Sequence, residues 1–329
     1  MSSPPTVSVV LAVRNGARHL ESALGSVIAQ RFSDFELVVI DDGSTDSTSE
    51  ILTALQRTEA RAVVVTQNHR GLAASLNRGI AMARGTYIAR QDADDISLLE
   101  RFERQVAYLD AHPSVAAVGT RADVIDGAGA VVGALRVACG PQAVARGLMT
   151  LRTTPVHGSM MIRAAALKAA GGYREAFRVG QDYDLWLRLI GRFEIDNLAD
   201  TLYRWRMDRG TVYASRRAEQ LKYAGLALAF AHERVACGQD SYESLRGHDG
   251  DLDGFNAQYH LGGQVHAMWG ELLLRGVGNS RLVRFHFRRA LRCGHIRPWP
   301  VFLLGWTHLG LPWPGGRALS VPDEGDAHA

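Results

Sequence analysis

Five short apolar runs alternate with four helix-patterned stretches across the first 120 residues, and this alternation constrains the fold more than any other feature. The first run, "VSVVLAV" (7–13), is continuous and rich in β-branched residues. Such a run reads as a strand buried on both faces. "ELVVI" (36–40), "AVVVT" (62–66), "TYIA" (86–89) and "VAAVG" (115–119) repeat the pattern. Between them, Leu20, Leu24, Val27 and Ile28 follow helical spacing, as do Leu72, Leu76 and Ile80, and Leu99, Phe102, Val106 and Leu109. Ser47 with Glu50 has the spacing of a capping box ahead of Ile51, Leu52 and Leu55. Strand and helix in alternation predict an α/β fold with a mostly parallel sheet sandwiched by helices. Ligands of such sheets bind outside the carboxyl ends of the strands. Two acidic clusters, "IDDGSTD" and "RQDADD", directly follow strands and so belong to that rim.

The pattern changes after Thr120. "DVIDGAGAVVGAL" predicts a hairpin turning at Asp126-Gly127. "SMMIR" (159–163) reads as a strand, and the helix with Leu167 is stopped by Gly171-Gly172. "QDYDLWLRLIGR" opens a further helix at Asp182. From about residue 215 the chain reads as helical and Arg-rich, and 315–329 as a disordered tail. The expected division is therefore 1–214, 215–314 and 315–329.

The charge of +3 on 329 residues gives no argument for nucleic acid. The N-terminus lacks the basic region of a signal peptide, and no apolar run reaches the ~18 residues of a spanning helix. Cys139, Cys237 and Cys293 form neither a disulfide framework nor a zinc pattern. A reducing, cytoplasmic setting is expected.

Aspartates at i and i+2 after a strand, as in Asp92 and Asp94, suit a hard divalent cation, which takes oxygen ligands. Alone, the cluster reads equally as a solvated acidic loop before a helix. A calcium loop is excluded, because Ile96 and Ser97 stand where a ligand and a glycine are needed. Asp41 and Asp42 end a strand, where a carboxylate can accept hydrogen bonds from a nucleobase or ribose, while Asp-Gly also serves as a turn. Asp182 is a general-base candidate that equally suits the dipole of a helix start. His157, before an apolar strand, reads as catalytic or as packed. The Gly127-x-Gly129-x-x-x-Gly133 run is not a dinucleotide fingerprint, and there is no Walker loop, nucleophile elbow or H-E-x-x-H.

Together, "VSVVLAVRNGARHLESALGSVIAQRFSDFELVVIDDGSTDST", "NHRGLAASLNRGIAMARGTYIARQDADD", "HGSMMIR" and "GGYREAFRVGQDYDLWLRL", in this order, resemble the family 2 glycosyltransferases over about residues 5 to 205. The resemblance implies a GT-A fold, with 1–214 as catalytic domain. It further implies a nucleotide-diphosphate sugar donor, inversion at the anomeric carbon, and a divalent metal, Mn2+ or Mg2+. It maps Arg14, Asn15 and Asp42 onto the nucleobase frame and extends the nucleotide-sugar side to Ala12, Asn77 and Ala93. Ala12 and Arg14 stand where the family commonly has proline and tyrosine. Asp94 maps onto the metal ligand and Asp92 onto the ribose or a second metal position. Asp95 is expected in a supporting or acceptor-side place. Asp182 maps onto the base, Gln181 onto the family's usual glutamate beside it, and His157 onto the acceptor side.

The expected acceptor is a glycan or a lipid-linked one. "RLVRFHFRRALRCGHIRPWPVFLLGW" interleaves six arginines with aromatic and aliphatic residues and no acid. It reads either as a helix packed on the rest of the chain or as a peripheral element at the inner membrane face, 281–310. Two other functions share part of the pattern: a sugar-phosphate nucleotidylyltransferase, whose Gly-rich N-terminal signature is missing, and a non-catalytic binding protein.

Overall fold

The computed structural model describes residues 3–207 and 217–247. The basic stretch 281–310 and the expected tail 315–329 lie outside the described residues. The chain divides into two compact units, Met1–Arg209 and Gly210–Ala329.

The first unit begins with the expected alternation: β1 (Val7–Val13), α1 (Ala17–Ile28), β2 (Phe35–Asp41), α2 (Thr48–Thr58), β3 (Ala62–Thr66), α3 (Leu72–Met82) and β4 (Tyr87–Gln91). Then come β5 (Ile96–Ser97), α4 (Arg101–Ala111), β6 (Val115–Ile125), β7 (Val131–Leu135) and α5 (Pro141–Met149). A single 3-10 turn at His157–Ser159 leads into β8 (Met161–Arg163), α6 (Ala164–Ala169), α7 (Gln181–Leu189) and β9 (Glu194–Arg206). The second unit contributes α8 (Arg217–Cys237) and α9 (Tyr242–Gly247).

The strands form one sheet in the order β3-β2-β1-β4-β8-β6-β9-β5, with β7 added to β6. β3, β2, β1 and β4 are mutually parallel, and β6 and β9 are parallel to each other. β8 runs antiparallel to both β4 and β6, so it is a reversed strand between two parallel groups. The chain winds outward from β1 through β2 to β3 and then crosses to β4 on the other side of β1. The crevice between the ends of β1 and β4 is therefore the switch point where a ligand fits such a sheet.

Every residue of β1, β2 and β4 is buried, as continuous apolar runs between two helix layers require. Val9, Leu11, Leu37, Val39 and Ala89 share the core with Leu20, Leu24, Leu52, Phe102 and Leu109 from the helices. β3 is an edge strand and only partly buried, although its run of valines reads like the others.

Three local expectations are corrected. Ser47 precedes α2 but makes no side-chain cap; Asp46 Oδ1 takes the Thr48 N–H at 3.1 Å instead, an Asx turn one residue earlier. The strand expected at 159–163 is shortened to its last three residues by the 3-10 turn. The strand expected at 115–119 runs on as β6 through Ile125, where it turns into β7 as the expected hairpin. β9, unforeseen, has a sequence that alternates too irregularly to announce a strand, and its register with β6 shifts accordingly.

At the opposite end of the strands from the switch point, Glu36 is buried in a polar knot. It accepts Ser8 Oγ at 2.6 Å and the Arg84 backbone N–H at 2.7 Å on one oxygen, and the Arg84 guanidinium at 2.7 and 2.9 Å on the other. Burial alone would raise this carboxyl, but the bonds from Ser8 and Arg84 outweigh it and hold it below its ordinary value. Its contribution to stability is thus complete above the titration of an unfolded glutamate, about 4.3, and is lost as pH falls through the lower folded value. Glu36→Gln sets an amide donor against the Arg84 guanidinium. Urea unfolding at neutral pH is expected to show a loss of about 1–3 kcal/mol. The variant's midpoint should also change less than that of the parent between about pH 5 and 3.

Candidate active site

The rim of β1 and β2 is built from side chains that stitch loops together. Asn15 sits in the left-handed region at φ 53°, a conformation asparagine tolerates better than most residues. Its Oδ1 accepts the Thr45 N–H at 2.8 Å, and its own N–H donates to Ser44 Oγ at 3.0 Å. Gly16 and Ala17 donate to Thr48 Oγ1 and Asp46 Oδ2. The exposed Arg14 is held at the tip of this double loop, with Ala12 buried behind it.

Asp42 is 4% exposed. Oδ1 accepts Gln67 Nε2 and the Arg70 N–H, both at 2.8 Å, and Oδ2 accepts the Gly71 N–H at 2.9 Å and lies 2.7 Å from His69 Nδ1. Burial would raise this carboxyl; the bonds from Gln67, Arg70, His69 and Gly71 hold it below its usual value. A carboxylate has about four acceptor positions, and all four are engaged. Asp42 therefore fixes the 67–71 loop and presents His69, half exposed, at the rim. Asn77 acts similarly. Its amide exchanges two 2.8 Å bonds with the backbone of Tyr173 and reaches Glu175 at 3.4 Å.

Across the switch point, "RQDADD" folds as a tight turn over two buried arginines. Arg101, on α4, is fully buried and faces no carboxylate at hydrogen-bond range among the described residues. Its five N–H groups go to Gln105 Oε1, Gln91 Oε1, Ser97 Oγ and the carbonyls of Arg90 and Met160. This uses all its donors. Burial lowers it to about 10, so it keeps its charge at neutral pH. Gln91 closes the turn, its Nε2 donating at 3.0 Å to the carbonyls of both Asp92 and Asp95. Arg90 is also buried; it donates to the Gln91 carbonyl and pairs with Asp92 Oδ1 at 2.5 Å. From β9, Arg206 donates its N–H to Asp95 Oδ1 and its Nε to the Asp94 carbonyl, both at 2.7 Å, while Nη1 reaches the Asp126 carbonyl at 2.8 Å.

The three carboxylates are thereby placed differently. Asp92 is paired with Arg90, and its backbone N–H donates to the Tyr203 hydroxyl at 3.2 Å. Asp94 is half-buried; burial first, then the charge of Asp92, pushes it up to about 6. Asp95 is 1% exposed, and burial with its two acidic neighbours pushes it well above the usual range. Its Oδ2 has no hydrogen-bond partner among the described residues. Ala93 packs beside Gly16, which brings the β1 and β4 rims into contact.

The third wall is His157, Tyr173, Trp186 and Asp182. His157 Nε2 lies 2.8 Å from the Tyr173 hydroxyl, and its ring meets those of Tyr173 and Trp186 edge-on at 5.6 and 6.1 Å. Burial and then Arg90 lower the His157 pKa, against the charges of Asp182 and Asp92. Asp182 lies in the first turn of α7, next to the buried Gln181, after Gly180 in the left-handed conformation. The Tyr173 loop is pinned to α7 by Arg188, which pairs with fully buried Asp184 at 2.9 Å and donates to the carbonyls of Ala170 and Gly172.

Sequence reasoning missed Arg90, Gln91, Arg101, Tyr173, Tyr203 and Arg206. Arg90 and Gln91 carried a signal: polar residues where the strand pattern demands burial. The others act through contacts distant in the chain.

Residues 8–170 match the family Glycosyl transferase family 2. EpsE of Bacillus subtilis (strain 168), which carries a glycosyltransferase name, is 38% identical over 213 residues, 63% of this chain and 75% of EpsE. The O-antigen biosynthesis glycosyltransferase WbnJ of Escherichia coli is 26% identical over 61% of this chain and 79% of its own length. The chain belongs to glycosyl transferase family 2. In fold it is similar to S. aureus TarS 1–349 in complex with UDP-GlcNAc, at TM-score 0.62 and 18% identity over 93% of this chain and 92% of TarS 1–349. It is also similar to the Pyrobaculum calidifontis mannosyltransferase PcManGT in complex with GDP-Man and Mn2+, at TM-score 0.55 and 19% identity over 94% of this chain and 81% of that one. The sheet is of the GT-A type expected.

Asp42→Ala leaves the N–H groups of Arg70 and Gly71 without their acceptor. Hydrogen exchange of those two amides is expected to accelerate, with a stability loss of about 1–3 kcal/mol. Unchanged protection of both amides contradicts the loop-fixing role of Asp42.

Proposed function

We propose that this chain is an inverting glycosyltransferase that moves a sugar from a nucleoside-diphosphate donor to an acceptor hydroxyl during assembly of a cell-surface glycan. One observation carries the reading. Gly158, the neighbour of His157, packs against the Asp92 carboxylate and the Tyr203 hydroxyl, and His157 is itself tied to Tyr173, so the acidic turn after β4 and the His157–Tyr173 wall border one crevice. The solved complexes of TarS with UDP-GlcNAc and of PcManGT with GDP-Man support a nucleotide-sugar donor, and the O-antigen role in the name of WbnJ supports a glycan product.

In this mechanism the donor diphosphate lies over the β1–β4 crevice and its nucleoside extends toward Arg14 and the 67–71 loop. Asp182 takes the proton of the acceptor hydroxyl. The acceptor oxygen then bonds to the anomeric carbon while the bond from that carbon to the diphosphate oxygen breaks on the opposite face. A single displacement inverts the centre and requires one base and no protein nucleophile. His157, kept toward its neutral form by burial and tied to Tyr173, orients the acceptor beside Asp182.

A divalent cation fits Asp94, whose burial beside Asp92 places negative charge where a cation offsets it. The unpartnered Asp95 Oδ2 beneath it points the same way. Among the described residues no three His, Cys, Asp or Glu side chains are grouped to hold a metal alone. That suits a cation of the Mg2+ or Mn2+ type, which takes one or two carboxylates plus substrate phosphates. When bound, it stabilises the charge of the departing diphosphate as a Lewis acid.

The proposed setting is cytoplasmic, with a glycan or lipid-linked acceptor. Cys139 and Cys237 are free thiols, and among the described residues no helix is long and apolar enough to cross a membrane. Asp182→Asn is expected to bind nucleoside diphosphate like the parent but to lose transfer by about 100-fold or more. The readout is release of nucleoside diphosphate from a nucleotide-sugar panel. Near-parental turnover in that variant removes Asp182 as the base.

A further inference from the structure

The Arg90–Asp92 ion pair engages one of the carboxylates that could hold a cation. Its nitrogen and oxygen are 2.5 Å apart, with the Arg90 side chain 3% exposed and that of Asp92 30% exposed. Ion pairs this poorly hydrated are only weakly screened, and removing one partner leaves the other charge buried and uncompensated. Arg90 has little freedom to leave: its second terminal nitrogen donates to the Gln91 carbonyl, and Arg101 holds the Arg90 carbonyl at 2.8 Å. The other oxygen of Asp92 faces Gly158, so closely that a Cβ there would stand 2.6 Å from it. The Tyr203 hydroxyl lies on the same side, at 3.2 Å from the Asp92 nitrogen. Asp95 turns Oδ1 to the Arg206 N–H and lies below the turn. Among the described residues Asp94 accepts no hydrogen bond from outside its own turn, and it is half-buried at the rim.

We infer that Arg90 is a positioning residue that withholds Asp92 from the cation. Asp94 is then the one side-chain anchor, and the site takes up a divalent ion only together with a nucleoside diphosphate. The inference rests on the donor-and-metal reading of this site given above, and it adds the residue that keeps Asp92 from the ion. Uptake of metal with the diphosphate follows from ligand count: one carboxylate binds a hard cation weakly, and the diphosphate oxygens complete the shell. A strand-borne guanidinium next to the first aspartate thus turns a two-carboxylate motif into a one-carboxylate site. Structural damage alone weakens metal binding; release of Asp92 from Arg90 strengthens it, and the sign separates the two.

The test is Mn2+ binding to the full chain, read by the electron paramagnetic resonance of free Mn2+, with and without UDP or GDP. The parent is expected to bind Mn2+ weakly alone and at least about tenfold more tightly with the nucleotide. Arg90→Met, which removes the charge and keeps an apolar side chain of similar length, is expected to bind Mn2+ alone at least about tenfold more tightly than the parent. Arg90→Met/Asp92→Asn deletes the pair as a neutral unit and avoids a stranded buried charge. It is expected to return Mn2+ affinity without nucleotide to within about threefold of the parent, whereas Asp94→Asn loses nucleotide-dependent uptake. Unchanged Mn2+ affinity in folded Arg90→Met overturns the inference, as does a gain in the double variant as large as that of Arg90→Met alone. No nucleotide-dependent uptake in the parent itself overturns the donor-and-metal reading, and this inference with it.

Discussion

Three carboxylates in four residues, at the end of a strand buried on both faces, repel one another and resist dehydration together. The fold resolves this with two guanidinium groups placed under the turn. Arg101 is fully buried, and its five donors are matched to neutral acceptors rather than to an acid. Its charge therefore acts on the whole loop instead of one oxygen. Arg90 forms its ion pair with Asp92. The residual strain falls on Asp94 and Asp95, whose carboxyls are both raised by burial and by their neighbours. A site that holds uncompensated negative charge at its rim is one prepared for a cation and a diphosphate.

The remaining walls depend on that turn. Gln91 closes it from inside, Arg206 ties it to β9 and to the β6–β7 turn, and Tyr203 supports Asp92 from the same strand. β9 therefore contributes as much to the acidic loop as the helix that follows the loop. On the opposite side, Asn77 and Arg188 hold the Tyr173 loop from α3 and α7, which sets His157 against Tyr173. The 67–71 loop is fixed by Asp42. Several residues with the look of ligand contacts act first as fasteners, and the surfaces they present are those of the loops they fix.

The parallel half of the sheet, its helices and the rim positions of Asp42 and Asp92 were legible in the sequence. Apolar runs of strand length and helical spacing are local properties, and the crossover rule converts them into a sheet with one ligand edge. The order of the motifs also carried the family. Less legible were β9, whose pairing with β6 makes a strand of an irregular pattern, and the edge position of β3, since β2 and β3 look alike until the sheet ends. Ser47 makes no side-chain cap, and Asp46, one residue earlier, takes the Thr48 N–H in an Asx turn at the same helix start.

By itself the sequence determined that carboxylates stand at the ends of β2 and β4, because burial of the preceding runs leaves polar residues nowhere else to emerge. Only the tertiary structure decided what each does. Whether an aspartate is paired, fastened or left facing the crevice depends on groups brought from positions distant in the chain, such as Arg206 and Tyr203 for the acidic turn and Gly71 for Asp42. Electrostatic environment is a sum over neighbours in space, and spacing along the chain does not encode it. Arg90 is the instructive case: it adjoins the motif in sequence, yet its effect follows from being buried where it pairs with Asp92.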